Sequence, residues 1–238
     1  MGALIKRELR ALNIAGNYKN PELIYGFLGI GYPLIVWLLG PGLAEFYDVE
    51  NFNLSVSILG MALVMLRVDN SLEREGTSRQ INFLQTLPLK KSQIVSAKFI
   101  SVLLLSGMTV VWMNMVILLT IFISGASYEE YGLFLGFFSS LIIFIVAMTL
   151  LAYFFKGPRR HFLIGILSII IWANVFGLSG FYLTSLGIVS GYSVFLVFIT
   201  MALIIYFICW QLSITRVKKK GFPLNEGTIS KASGGRRA

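Results

Sequence analysis

Charge is scarce in this chain. Only 13% of its 238 residues are Asp, Glu, Lys or Arg, against roughly 25% in soluble domains, and 56% are hydrophobic. A soluble fold of this length could not hide that much apolar surface in one core. The single cysteine, Cys209, excludes a disulfide within the chain and a cysteine-built metal cluster. Set between Ile208 and Trp210 in an apolar run, it is expected to pack. No G-x-x-x-x-G-K-[ST] loop occurs, so the chain itself does not cradle nucleotide phosphates. No grouping of nucleophile, base and metal ligand stands out, which argues against an enzyme, and no cofactor or metal is expected in the chain itself. Residues 1–20 are polar and basic and show no short apolar core followed by a small-residue cleavage site, so the first apolar run is expected to be retained.

What is present is a series of long uncharged runs separated by short charged segments, the pattern of a chain that crosses a bilayer repeatedly. A crossing helix needs about 20 apolar residues. Spans are expected near 23–42, 52–67, 99–124, 132–155, 162–178 and 189–212, preceded by an interfacial helix at 3–16. Residues 213–238 are expected to form a basic, disordered tail, rich in Gly and Ser from Gly221 onward. The fold expected is therefore all-α and integral to the membrane, one transmembrane domain over 1–212.

Charge settles the span count. With residue 1 inside, the segments 1–22, 67–98, 156–161 and 213–238 are cytoplasmic and hold all 20 Lys and Arg. The outer segments hold Glu45, Asp48, Glu50, Glu129 and Glu130 and no cation. This follows the bias of Lys and Arg toward cytoplasmic loops. If the short second run, 52–66, did not cross, Arg67, Arg74, Arg79, Lys90, Lys91 and Lys98 would lie outside. Six spans with both termini cytoplasmic is the better topology.

Within the spans, Ser106, Thr109, Asn114, Ser139, Ser140, Thr149, Asn174 and Thr200 either hydrogen-bond between helices or line a pathway; Asn114 and Asn174 are the candidates retained for the second role. The region 174–191 is interrupted by Gly177, Gly180, Gly187 and Gly191. Residues 181–188 are expected either as a short re-entrant or surface helix on the outer side or as a plain apolar loop.

The N-terminal segment is amphipathic. At about 100° per residue, Leu4, Ile5, Leu9 and Leu12 share one arc and Lys6, Arg7 and Arg10 another, as suits a helix lying in the membrane interface with its cations toward anionic lipid. Glu8 breaks the pattern by projecting into the apolar arc. It either pairs with a cation on a neighbouring helix or sits at a wet edge with no pair of consequence. The second is preferred here, because exposed pairs contribute little.

The richest segment lies between the second and third spans. Gly76 is expected to stop a helix, and Thr77, with Gln80 three residues on, to cap the next. Phe83, Leu84 and Leu87 then share one side, with Ile81 at its margin, and Pro88 ends the helix. Ser92 is expected to cap a further helix that runs through Lys98 into the third span. The pattern leaves open a structured loop with solvated charges or a docking helix for a cytosolic partner.

This segment resembles the cytoplasmic loop of type-2 ATP-binding-cassette exporter permeases. The likeness is carried by Glu73, Arg74 and Glu75, the Gly76-Thr77 step, Phe83, Leu84 and Leu87, Pro88, the pair Lys90 and Lys91, and Lys98 entering the third span. The Lys19-Asn20-Pro21 step after an amphipathic helix is similar too. The resemblance implies a homodimer in the bacterial plasma membrane, with a short coupling helix that meets a separate cytosolic ATPase carrying ATP and Mg. A second coupling element would be 156–161, with Lys156, Arg159 and Arg160, which is very short. It also implies export of an amphipathic or lipophilic cargo, such as a peptide, drug or lipid-like molecule, in keeping with spans that hold no charge well inside them. The alternative is a non-transporting membrane component: a sensor, an anchor or an immunity protein.

Overall fold

The computed structural model describes residues 2–14, 49–77, 89–124, 128–157, 161–187 and 191–222. Among the described residues all regular structure is helical and no strand occurs. The elements are α1 (Gly2–Ile14), α2 (Val49–Thr77), α3 (Lys91–Ser124), α4 (Tyr128–Lys156), α5 (His161–Trp172), α6 (Leu178–Ser185) and α7 (Gly191–Lys220). The expected first span, 23–42, lies outside the described residues.

Among the described residues, three helical stretches are long and apolar enough to cross a membrane: Lys91–Phe122, Phe134–Lys156 and Ser193–Lys220. The middle one is the centre of the bundle. Its apolar window is 72% buried, against 33% and 28% for the other two. Accordingly α4 packs along α7, α5, α3 and α2.

Contacts fix the sense of each helix. Gly60 of α2 faces Thr109 and Met113 of α3, while Val68 and Leu72 lie with Lys98 and Val102, so α2 and α3 are antiparallel. Gly165 of α5 faces Thr149, and Gly177 faces Phe137, so α5 is antiparallel to α4. At one end of α4, Gly136 lies against the backbone of Phe195. Toward the other end, Phe99 of α3 touches both Phe154 of α4 and Tyr206 and Trp210 of α7. Hence α4 and α7 run the same way.

Two expectations about helix ends are corrected. The fifth run does not stop at 178: a π-helical turn, Ala173–Gly177, joins α5 to α6, with the Leu178 N–H donating to the Ala173 carbonyl. The widened turn seats Trp172 and Phe176 as a stack at 4.0 Å beside Phe144. The three consecutive pieces, of 12, 5 and 8 residues, rise about 35 Å, and the apolar stretch within them, Ile164–Gly180, is shorter than the three above. A separate element over 181–188 is therefore replaced, as far as Ser185, by a continuation of the same helix.

Likewise the chain does not leave the bundle at residue 213. Helix α7 continues to Lys220, burying Ser213 and Val217, and Phe222 tucks against Phe154. Both α4 and α7 end on lysine followed by a glycine at positive φ. The Gly157 N–H bonds the Tyr153 carbonyl at 2.9 Å and the Gly221 N–H bonds Val217 at 3.0 Å, a left-handed cap that glycine adopts without steric cost.

Candidate functional site

The helix ends around the 78–88 segment form the candidate site. Gly76 does not stop α2, which continues to Thr77, and Glu73, Arg74 and Glu75 lie in its last turns. Ile81, Phe83, Leu84, Leu87 and Pro88 lie outside the described residues. On the far side, α3 begins at Lys91 and not after a Ser92 cap. The Gln93 carboxamide oxygen reaches back to accept the Lys90 N–H at 3.1 Å, satisfying a donor that would otherwise be orphaned at the helix start.

Lys98, two turns into α3, is buried, and so is Glu8 of α1. Their Nζ and Oε2 atoms are 3.8 Å apart, with side chains 5% and 3% exposed. The Arg7 guanidinium stands 3.9 Å from the other Glu8 oxygen and is 36% exposed. The Lys98 ammonium also lies 5.4 Å from the centre of the Tyr153 ring on α4, a cation–π distance. Leu12, Val68, Ser71, Leu72, Ser101 and Val102 surround the pair. The expectation of a wet Glu8 without a consequential pair is therefore wrong. The glutamate lies in the apolar arc because that arc is turned onto α2 and α3, where a buried cation meets it. Two charges withdrawn from water stabilise each other, and removing either costs the other its main partner.

Next to Lys98 in sequence, Phe99 lies about 100° further round the helix. It stacks on Phe154 and Trp210 and meets Tyr206 edge-on. The Tyr206 hydroxyl donates to the Phe99 carbonyl at 2.5 Å, and the Trp210 indole N–H donates to Ser96 Oγ at 3.1 Å. Residues 98 and 99 thus tie the start of α3 to α1, α2, α4 and α7 together. Sequence reasoning noticed Glu8 and Lys98 separately but did not join them. The available signal was an acid in an apolar arc and a lysine immediately before an uncharged span, each in need of a partner.

The remaining sequence candidates are dispersed. Lys156 is exposed at the end of α4, and Arg159 and Arg160 lie outside the described residues. Asn114 accepts a hydrogen bond from Ser139 at 3.2 Å, joining α3 to α4. Asn174, on the exposed side of the π turn, donates to Ile170 at 2.8 Å. Ser106, Thr109, Ser140 and Thr200 turn their hydroxyls back onto their own helices. Thr149 Oγ1 is buried without a partner beside Gly165. Cys209 is buried.

Residues 27–218 match the family described as ABC-2 family transporter protein. No curated protein and no solved structure matches the chain. The match takes in α2 through most of α7, including the Lys98–Phe99 junction, and with it the chain belongs to the ABC-2 transporter family, as a multi-pass membrane permease subunit of an ABC transporter.

Proposed function

We propose that the chain is the membrane half of an exporter that moves an amphipathic or lipophilic cargo, such as a peptide, drug or lipid-like molecule, out across the bacterial plasma membrane. Two copies pair, with six spans each and both termini in the cytoplasm, and each copy receives a separate cytosolic ATPase that carries ATP and Mg. The ATPase docks on the segment from Glu73 to Pro88, with Phe83, Leu84 and Leu87 as its apolar contacts, and more weakly at Lys156, Arg159 and Arg160. Family membership supports the ATPase partner.

The observation that carries the coupling mechanism is the junction at residues 98 and 99. A displacement delivered to 78–88 reaches α3 within a few turns. There Lys98 and Phe99 are packed against α1, α2, α4 and α7. Close-packed interiors transmit strain and do not absorb it, so the bundle responds as a body and can be driven between two arrangements.

Phe83→Ala tests the docking. A large aromatic at the centre of an interface typically contributes at least about 2 kcal/mol. The variant is expected to insert normally and either to lose copurification with the ATPase or to retain it while ATP hydrolysis no longer drives transport. Normal assembly, ATPase stimulation and transport would exclude Phe83 as an anchor. Failure to insert, or aggregation in detergent, would place the ring in the chain's own packing.

A further inference from the structure

The ends of α4 and α7 carry a cluster of cations that the buried pair does not use and of which the coupling mechanism uses only Lys156, weakly. Lys156 closes α4, and Lys218, Lys219 and Lys220 close α7; all four are exposed. Arg216 lies one turn earlier, half-buried, with its guanidinium 5.9 Å from the centre of the Phe155 ring. Its Nη1 is buried and has no hydrogen-bond partner. Among the described residues no carboxylate stands within ion-pair distance of any of the five. Their positions are fixed from below, because Phe222 folds under the helix end onto Phe154.

The arrangement along α7 identifies the partner. Ile208, Leu212 and Arg216 are spaced four apart and share a helix face, and Lys219 and Lys220 follow on that face at three and four residues. Ile208 and Leu212 are 49% and 46% exposed, and Phe155 on the neighbouring helix is 44% exposed. Going down this face, bare hydrocarbon gives way within one turn to a guanidinium on an aromatic ring and then to ammonium groups. An anionic phospholipid has the same sequence of chemistry: acyl chain, then phosphodiester, then solvent. A cytosolic protein could reach Lys218 to Lys220 from below. Its access to Arg216 would be from the side, at the level of Phe155, where the flanking surface is apolar. We propose that Arg216, with Phe155 beneath it and Lys156, Lys219 and Lys220 around it, is a binding site for the phosphodiester of an anionic phospholipid, whose acyl chains lie along Ile208 and Leu212. Arg supplies the planar fork suited to phosphate oxygens, and the lysines add charge.

The test uses the purified full-length chain in a neutral detergent, titrated with phosphatidylglycerol, phosphatidylcholine or inorganic phosphate while the thermal unfolding midpoint is followed. Phosphatidylglycerol is expected to raise the midpoint at lower concentration than phosphatidylcholine. Each cation near an anionic lipid surface contributes about 1 kcal/mol, so Arg216→Gln should raise the half-saturating lipid concentration about fivefold. The double variant Lys219→Gln/Lys220→Gln changes only exposed side chains and should show a comparable or larger loss even if Arg216→Gln folds poorly. Lys6→Gln/Arg10→Gln, on the exposed side of α1, removes the same number of charges away from this site and should shift the titration clearly less than the α7 double variant. Equal response to the two lipids would overturn the proposal, as would full reproduction of the effect by inorganic phosphate. So would retention of wild-type affinity in the α7 variants, or an equal loss in the α1 variant, which would mean that net charge alone is read.

Discussion

Replacing Glu8 with alanine removes the carboxylate that faces a Lys98 side chain only 5% exposed. Breaking a buried pair from one side typically costs about 3–5 kcal/mol, because the remaining charge stays desolvated. Here two features reduce that figure. The Tyr153 ring at 5.4 Å keeps part of the ammonium's stabilisation, worth about 0.5–2 kcal/mol, and a lysine stem can carry its charge some way toward water. A net loss of about 2–3 kcal/mol is expected for Glu8→Ala. Lys98→Met should cost less, because Arg7 still stands 3.9 Å from the glutamate and is partly solvated. Glu8→Leu/Lys98→Met replaces the pair with apolar groups of similar size, and such replacements are often neutral or stabilising. The assay is a double-mutant cycle on thermal unfolding midpoints in detergent, with hydrogen exchange across α1 as the local readout. Two kcal/mol corresponds to roughly 4–8 °C for a chain of this size. The double variant should regain most of what the singles lose, giving a coupling of at least about 1 kcal/mol. Additive losses, or a Glu8→Ala variant with unchanged midpoint and unchanged protection of α1, would refute the claim that this pair holds α1 to the bundle.

Further expectations follow from particular contacts. A Cβ on Gly136 would sit 2.6 Å from the Phe195 Cα, a backbone atom that cannot rotate away, so Gly136→Ala should lower the unfolding midpoint by the equivalent of about 1–3 kcal/mol; Gly107→Ala, where nothing lies within 4 Å, is the control and should be neutral or slightly stabilising. Tyr206→Phe keeps the ring contact with Phe99 but removes the 2.5 Å hydroxyl bond to a carbonyl that retains its place in the α3 helix, and unfolding should detect a loss of about 0.5–1.5 kcal/mol. Reporter fusions after Tyr47 and Tyr128 should score external and those after Lys90 and Arg159 cytoplasmic; an external signal at Lys90 would remove the second span.

How much was legible in the sequence differs from residue to residue. The uncharged runs at 99–124, 132–155 and 189–212 overlap the three helices able to cross a membrane. Partition into hydrocarbon is close to a sum over neighbouring residues, so sequence order suffices to find them. The continuation of α7 through 213–220 was missed because its basic, polar composition matches a solvated tail; what keeps it helical is Val217 packed inward and Phe222 folded against Phe154. The π turn was missed for a related reason. Glycines at 177 and 180 suggest a break, yet Gly177 sits inside a continuing helix, where a Cβ would come within 3.1 Å of the Phe137 ring.

The sequence by itself therefore determined the solvent: a chain with 13% charge, and with its cations confined to the connecting segments, partitions into a bilayer whatever its tertiary contacts. The tertiary structure alone decided which charges are solvated and which are structural. Glu8 and Lys98 stand 90 positions apart. Neither one's surroundings reveal that α1 turns its apolar arc onto α2 and α3 and brings a carboxylate within 3.8 Å of a buried ammonium. Hydrophobic partition is local and additive along the chain, whereas a buried ion pair exists only where packing has removed the water from both charges at once.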